Sequence, residues 1–207
     1  MDLVLPSRRG IIFIVSAPSG AGKTTISRAA LREIDGLTPS ISLTTRRPRS
    51  GEAQGIDYQF VTAEEFQHRL EADELAELAQ VFDACYGTPR QPLEDAIGEG
   101  RDMLLDIDVQ GARSLIQRYP ADAVTIFVLP PSFEELEGRL RRRATEDAQA
   151  IARRLTRARE EFRAYPEYDY LIVNANLADS LAHLRAIVRA ERAKVARLRE
   201  EIAPWKS

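Results

Sequence analysis

A glycine-rich segment near the start of the chain carries the clearest chemical signal. Residues 16–25 read Ser-Ala-Pro-Ser-Gly-Ala-Gly-Lys-Thr-Thr and follow the apolar run Ile11–Val15. A buried strand that breaks into such a turn and then into a helix points successive backbone N–H groups and a helix dipole at bound phosphate. In this pattern Lys23 reaches the β- and γ-phosphates of a nucleoside triphosphate, and Thr24 ligates Mg²⁺. The alternative is an ordinary glycine-rich turn, since Ala17 stands where the pattern has its first glycine.

Two carboxylates follow a second apolar run. Asp106 and Asp108 lie at the C-terminal end of the stretch Met103–Ile107. Residues two apart on a strand face the same side, and in an open parallel sheet ligands bind outside the C-terminal ends of the strands. The pair could therefore organise the water shell of Mg²⁺ or accept hydrogen bonds from a base. For Asp108 the alternative is an ordinary helix N-cap.

Arginines form two further clusters. Arg46 and Arg49 lie three apart around Pro48, a spacing at which two guanidinium forks can bind one phosphate, although a solvated basic turn would look the same. Arg139 and Arg143 share a helix face that could close over a triphosphate and neutralise the charge developing during phosphoryl transfer. The alternatives for this second cluster are a solvated helix or an RNA-binding patch. RNA is disfavoured because no aromatic residues for stacking interleave the arginines.

The composition is that of a globular protein. The 207 residues fit one domain, and the formal net charge of −3 gives no reason to expect nucleic acid or an anionic membrane as a partner. Cys85 is the only cysteine, which rules out an internal disulfide and suits a reducing compartment. The first ten residues do not read as a signal peptide, and no apolar run approaches the ~20 residues that a membrane span needs. We therefore expect a cytoplasmic protein.

Apolar runs alternate with helical patterns, which indicates parallel strands joined by crossover helices. The predicted strands are Ile11–Val15, Met103–Ile107, Val124–Leu129 and Tyr170–Val173. The predicted helices are Thr24–Ile34, Pro92–Ile97, Gln110–Arg118, Phe133–Arg143, Ala148–Ala164 and Leu181–Glu201. The segment after Ser40 reads instead as a small α+β insertion, with short strands at Ser40–Thr45 and Tyr58–Val61, a helix capped by Thr62, and a strand over Glu74–Phe82.

With these features the chain resembles the guanylate kinase family, and its bacterial members in particular, from about Gly10 to Arg192. Six motifs occur in the family's order: Ser16–Thr24, Ser42–Glu52, Gly55–Val61, Tyr86–Pro89, Leu105–Gly111 and Leu171–Asn174. The resemblance implies an enzyme that uses ATP and Mg²⁺ to phosphorylate GMP or dGMP, giving ADP and GDP or dGDP. It also implies one α/β domain over residues 1–207: a P-loop kinase core with a parallel sheet flanked by helices (1–39, 92–131 and 165–207), a GMP-binding insertion (40–91) and a helical lid (about 132–164).

The resemblance also assigns roles to single residues. The ATP phosphates would be bound by Ser19, Gly20, Ala21, Gly22, Lys23, Thr24 and Thr25. Catalytic charge would come from Lys23, Arg139, Arg143 and Arg154, and the adenine would lie near Asn174. GMP would be bound by Ser42, Arg46, Arg49, Tyr58, Glu77, Tyr86, Thr88, Asp106 and Asp108. The chain departs from the family pattern at Ala17, Cys85, Ala144 and Asn176.

The hydrogen-bonding groups of guanine explain why a carboxylate at Glu77 would prefer guanine to adenine. Guanine offers N1–H and its 2-amino group as adjacent donors, so one carboxylate can accept from both, whereas adenine would leave that carboxylate unpaired. Hydroxyls of Ser42 and Thr88 could donate to guanine O6 or N7. Two alternatives stay open: a kinase for a phosphorylated ribose, which has no use for base-reading groups, and a non-catalytic guanylate-kinase-like interaction module, which typically has a degraded phosphate loop. Lys23 with its flanking glycines argues against the module.

Overall fold

The first apolar run lies in the middle of a parallel sheet. The computed structural model describes residues 8–81, 83–143 and 148–198. Strand β1 (Ile12–Ser16) pairs in parallel with β7 (Asp102–Asp106) on one side and with β8 (Ala123–Leu129) on the other. The sheet is completed by β2 (Leu37–Pro39) beside β7 and β9 (Tyr170–Val173) beside β8, in the order β2, β7, β1, β8, β9. This arrangement confirms the predicted parallel α/β core.

Helices cover both faces of this sheet, because alternate residues of β1 are apolar on each side. Phe13 and Val15 belong to one core cluster, which includes residues of helices α1 (Lys23–Glu33) and α7 (Leu177–Arg192). Ile12 and Ile14 belong to the other, which includes residues of α3 (Arg90–Glu99) and α4 (Val109–Arg118). A strand that is buried on both faces in this way is typical of a doubly covered parallel sheet.

A second, smaller sheet lies in the predicted insertion. Its strands run in the order β4 (Gln59–Phe60), β3 (Leu43–Thr44), β6 (Ala84–Pro89) and β5 (Leu75–Val81). The antiparallel pair of β5 and β6 is its longest element, with Ala79 opposite Tyr86. Helix α2 (Ala63–Glu71) begins as predicted at Thr62, whose hydroxyl accepts a hydrogen bond from the Glu65 N–H at 3.1 Å.

Two helices lie in the segment for which a lid is predicted. Helix α5 (Phe133–Arg143) begins after Ser132, whose hydroxyl accepts from the Glu135 N–H at 3.1 Å, and α6 (Ala148–Phe162) packs against it. Leu136 and Leu140 of α5 and Ala158 of α6 make a small apolar cluster of their own. Ala144, one of the departures from the family pattern, lies outside the described residues.

Some predicted bounds were wrong. The last helix runs from Leu177 to Arg192 instead of from Leu181 to Glu201, because the Asn176 side chain caps its start by accepting from the Asp179 N–H at 2.8 Å. Strands β2 and β6 were not predicted from the sequence. In the part of the chain that the structure describes, the helices are all too short or too polar to span a membrane.

Candidate active site

The glycine-rich turn between β1 and α1 has the backbone shape that the phosphate-loop pattern predicts. Gly20 and Gly22 have φ values of 93° and 99°, in the left-handed region that favours glycine. A Cβ on Gly22 would also collide with the amide of Asn174. Residues 17–25, termed the P-loop below, line a cavity of about 260 Å³. The rest of this P-loop cavity is lined by Val81, Asp108, Arg154, Arg157 and Glu161.

A second cavity, of about 220 Å³, lies between the P-loop and the small sheet. This insertion cavity is lined by six of the residues predicted to bind GMP, namely Ser42, Tyr58, Glu77, Tyr86, Asp106 and Asp108. Lys23, Thr24, Val81 and Asp108 line both cavities. The two cavities therefore meet where the phosphate-loop lysine lies.

Lys23 is held at this junction by the end of β7. Its Nζ lies 2.8 Å from Oδ1 of Asp106 and donates to the Ile107 carbonyl oxygen at 2.7 Å. Thr24 is exposed in the first turn of α1 and lines both cavities. The structure therefore brings a cation, a hydroxyl and a carboxylate together beside the P-loop.

Glu77 is the most unusual carboxylate of the insertion cavity. Only 5% of its surface is exposed, and its Oε1 accepts a hydrogen bond from the Thr88 hydroxyl at 2.7 Å. Its Oε2 is buried and has no hydrogen-bond partner among the described residues. Burial, together with the nearby charge of Asp108, raises the pKa of Glu77 to about 7, although the Thr88 hydrogen bond acts in the opposite direction. Such an oxygen atom can accept a hydrogen bond from a ligand.

Asp108 has two roles in the structure. Its Oδ1 accepts from the Gly111 N–H at 2.9 Å and caps α4, so the alternative interpretation as an N-cap is correct. Its Oδ2 lies 3.4 Å from Nη2 of Arg157. Because Asp108 also lines both cavities, capping the helix does not remove it from the site.

The two arginines of the first cluster lie in different surroundings. Arg46 is half-buried: it makes a double hydrogen bond with Glu52, at 2.7 Å for each contact, and its Nε donates to the Tyr86 hydroxyl at 3.1 Å. This ion pair lowers the pKa of Glu52 to about 2. Arg46 also lies 4.9 Å from the centre of the Tyr58 ring. Arg49 is exposed and lines neither cavity, so its predicted contact with a phosphate stays a prediction.

The arginines of the predicted lid also lie in different surroundings. Arg154 lines the P-loop cavity. Arg139 lines neither of these two cavities and donates to the carbonyl oxygens of Ala21 and Asn174, each at 3.2 Å. The Asn174 amide donates to the Ala21 carbonyl at 2.8 Å, so this side chain supports the loop directly. The side chain of Arg143 lies outside the described residues.

Two charged residues of the P-loop cavity were missed by the sequence analysis. Arg157 and Glu161 lie on α6, and Oε2 of Glu161 accepts a hydrogen bond from the backbone N–H of Ser19 at 3.1 Å. Glu161 was not singled out at all, and Arg157 was one of many arginines in the segment. Their spacing of four on one helix allows an ion pair, but nothing local to α6 indicates a contact with the P-loop.

Comparison with known proteins identifies the family. The family model for guanylate kinase matches residues 8–191. The chain belongs to the guanylate kinase family. It is 50% identical over 188 residues to the guanylate kinase of Paramagnetospirillum magneticum, a match that covers 91% of this chain and 88% of the relative. It is also 50% identical over 190 residues to that of Rhodospirillum rubrum, covering 92% of this chain and 87% of the relative.

The fold agrees with this assignment. The crystal structure of guanylate kinase from Anaplasma phagocytophilum matches with a TM-score of 0.79 at 36% identity, covering 94% of this chain and 92% of the other. The resemblance drawn from six short motifs and the predicted P-loop kinase fold are both confirmed. A member of this family is an ATP-dependent phosphotransferase.

Proposed function

We propose that this protein transfers the γ-phosphoryl group of ATP to GMP or dGMP, giving ADP and the corresponding diphosphate. The observation that carries the proposal is the pair of cavities that meet at Lys23 and Asp108. One is built by the P-loop, and the other contains a buried carboxylate with an unpaired oxygen, Oε2 of Glu77. This layout suits a phosphate donor on one side and a guanine nucleotide on the other.

Guanine recognition follows from the chemistry of Glu77. An ionised carboxylate accepts from both N1–H and the 2-amino group of guanine, which would satisfy the buried Oε2. Adenine has no 2-amino group and has an acceptor at N1, so it would leave the oxygen unpaired. The Thr88 hydroxyl already donates to Glu77, which leaves the Ser42 hydroxyl as the donor for guanine O6 or N7.

The phosphate of GMP has a basic and hydroxyl-rich site nearby. Tyr58 and Tyr86 line the insertion cavity; Arg46 lies over the Tyr58 ring and donates a hydrogen bond to the Tyr86 hydroxyl. We assign the GMP phosphate to these three residues and to Arg49, which would have to turn inward from its exposed position. Glu52 holds Arg46 in place until then, since the double hydrogen bond fixes the plane of the guanidinium group.

Phosphoryl transfer needs alignment and charge neutralisation more than a strong nucleophile, because the acceptor is already an anionic phosphate oxygen. We assign this work to Lys23, Arg139, Arg143 and Arg154, of which Arg139 would have to leave the Ala21 and Asn174 carbonyls and turn toward the phosphates. The residues present suit Mg²⁺, since the Thr24 hydroxyl and the Asp106 and Asp108 carboxylates are oxygen donors on one cavity, and Mg²⁺ commonly binds through few protein ligands, waters and substrate phosphates. When bound, the ion would neutralise charge on the β- and γ-phosphates. We further propose a cytoplasmic enzyme, where both nucleotides are available.

An acceptor panel tests the proposal. Purified protein with ATP and Mg²⁺ is assayed for ADP release with GMP, dGMP, AMP, CMP, UMP and ribose phosphates. We expect GMP to exceed AMP by at least about a hundredfold in kcat/KM, because the rejected base leaves a buried group unpaired. Equal turnover of AMP and GMP would contradict the assignment. Turnover of a ribose phosphate alone would favour the second kinase class, and no turnover of any acceptor would favour the interaction module.

A further inference from the structure

Glu161 places a carboxylate against the P-loop. Its Oε2 accepts from the backbone N–H of Ser19 at 3.1 Å, and its Oε1 accepts from Nε of Arg157 at 2.7 Å. Both side chains line the P-loop cavity, one turn apart on α6. A backbone N–H and a guanidinium group are the donors that a phosphate oxygen would use. The carboxylate therefore accepts two hydrogen bonds that a nucleotide phosphate could accept in its place.

Arg157 also reaches the boundary between the two cavities. Its Nη2 lies 3.4 Å from Oδ2 of Asp108, which lines both of them. Two carboxylates therefore face Arg157 in a cavity that has to accept a polyanion. With Arg157 between them, the negative charge of Asp108 and Glu161 is neutralised locally.

We propose that Arg157 is a further phosphate-binding residue of the ATP site, and that Glu161 holds it and the Ser19 N–H until the nucleotide phosphates displace the carboxylate. The inference rests on the proposed function, because it needs ATP in the P-loop cavity. It adds Arg157 to the residues assigned from the family resemblance and makes Glu161 a competitor of the nucleotide.

A purely structural ion pair between the lid and the core would behave differently. Replacing either partner of such an ion pair breaks the same contact, so Arg157→Ala and Glu161→Gln would change the affinity for ATP in the same direction. Competition predicts opposite directions. Loss of Arg157 removes a donor to phosphate, whereas loss of the Glu161 charge removes both a competitor and a repulsion.

The experiment measures ATP binding to the full chain by calorimetry in the presence of Mg²⁺. We expect Arg157→Ala to raise the Kd about tenfold or more, the usual scale for a charged hydrogen bond. We expect Glu161→Gln to lower the Kd about threefold or more through lost repulsion. Arg153→Ala is the matched control, because Arg153 is an exposed arginine of the same helix that does not line the P-loop cavity. Its Kd should stay within about twofold of the original protein.

Two control measurements accompany the ATP titrations, adenosine binding and thermal unfolding. Adenosine, which lacks phosphates, should bind all the variants alike, and thermal unfolding should show that each is folded. Parallel weakening in Arg157→Ala and Glu161→Gln would overturn the inference, as would an Arg157→Ala Kd no higher than that of the control. The original protein is assayed with GMP in the same series: failure there would refute the proposed reaction, while the ATP-binding shifts report on Arg157 and Glu161 independently.

Discussion

Glu77 combines burial with an incomplete set of hydrogen bonds. Its pKa of about 7 lies above the ordinary 4.5, so the folded protein binds a proton that the unfolded chain releases between these values. The stability of the folded state therefore falls as the pH rises from about 4.5 to 7. In the proposed complex the ionised carboxylate would accept from two guanine donors, and the ligand would supply the missing partners. The unfavourable burial in the free protein would then contribute to selectivity, because other bases would not relieve it.

The raised pKa of Glu77 predicts a pH dependence for GMP use. The KM for GMP should fall as the pH rises from 6 to 8, since the carboxylate is the form that accepts both donors and it becomes the major form above about 7. Glu77→Gln should lower kcat/KM for GMP by about a hundredfold or more and remove this pH dependence, because an amide presents its own N–H₂ to one of the donors. Steady-state kinetics at constant ionic strength measures both effects.

Glu64→Gln provides the control, because Glu64 is an exposed carboxylate on α2 that lines neither cavity. It should reproduce the kinetics and the pH profile of the original protein. An unchanged KM for GMP in Glu77→Gln would assign base reading to another residue.

At the scale of elements, the start of α4 leaves room for this carboxylate. A Cβ on Gly111 would lie 2.7 Å from Oε2 of Glu77 and 3.1 Å from its Cδ. The Glu77 side chain is buried and bonded to Thr88, so it cannot turn aside without losing that hydrogen bond. The absence of a side chain at Gly111 therefore helps to set where Oε2 of Glu77, the oxygen proposed to bind guanine, lies.

Gly111→Ala should accordingly raise the KM for GMP by about tenfold or more while the Kd for ATP changes little, because the methyl group displaces Glu77 and not the P-loop. Steady-state kinetics and calorimetry give the two values. Gly98→Ala is the control, since a Cβ on Gly98 in α3 would meet no atom within 4 Å. A Gly111→Ala enzyme with unchanged KM for GMP would show that Glu77 adapts freely.

Elements with a local signal were predictable, and the others were not. The P-loop can be recognised from the sequence because glycine, lysine and threonine stand at fixed offsets after an apolar run. Strand β6 carries no such signal: it reads Ala-Cys-Tyr-Gly-Thr-Pro, and glycine and proline are unfavourable in most strands, so pairing with β5 and β3 determines it. The contact of Glu161 with Ser19 joins residues 142 positions apart. No pattern within either segment could indicate it.

At the scale of the whole molecule, buried charge ties two segments far apart in the sequence, around Arg8 and Arg192, to the core. Asp102 at the start of β7 is fully buried and accepts from two guanidinium groups, Arg8 at 2.7 Å and Arg192 at 2.7 Å, as well as from the Ile11 N–H at 3.0 Å. Breaking such a set leaves an unpaired buried charge, which costs several kcal/mol, on the order of 3 to 5. These contacts therefore stabilise the sheet on the side away from the two cavities.

The two cavities are lined by residues from different parts of the chain. The P-loop cavity is lined by the core, by Val81 of β5 and by Arg154 of α6, and the insertion cavity is lined by the core and the small sheet. A nucleotide in one cavity would contact only some of these elements. Nucleotides in both cavities would together contact the core, α6 and the small sheet. Closure over both would also exclude the water that would otherwise hydrolyse ATP.

We therefore predict cooperative protection against amide hydrogen exchange. Helices α5 and α6 and strands β5 and β6 should gain protection together when a non-hydrolysable ATP analogue and GMP are both present, and less with either alone, because each ligand alone joins fewer walls. Strand β1, already buried in the sheet, serves as the internal reference and should not change. Hydrogen exchange read by mass spectrometry separates these segments. Equal protection of the lid helices and the small sheet with and without nucleotides would mean a preformed site, and water exclusion would then have to come from the bound ligands themselves.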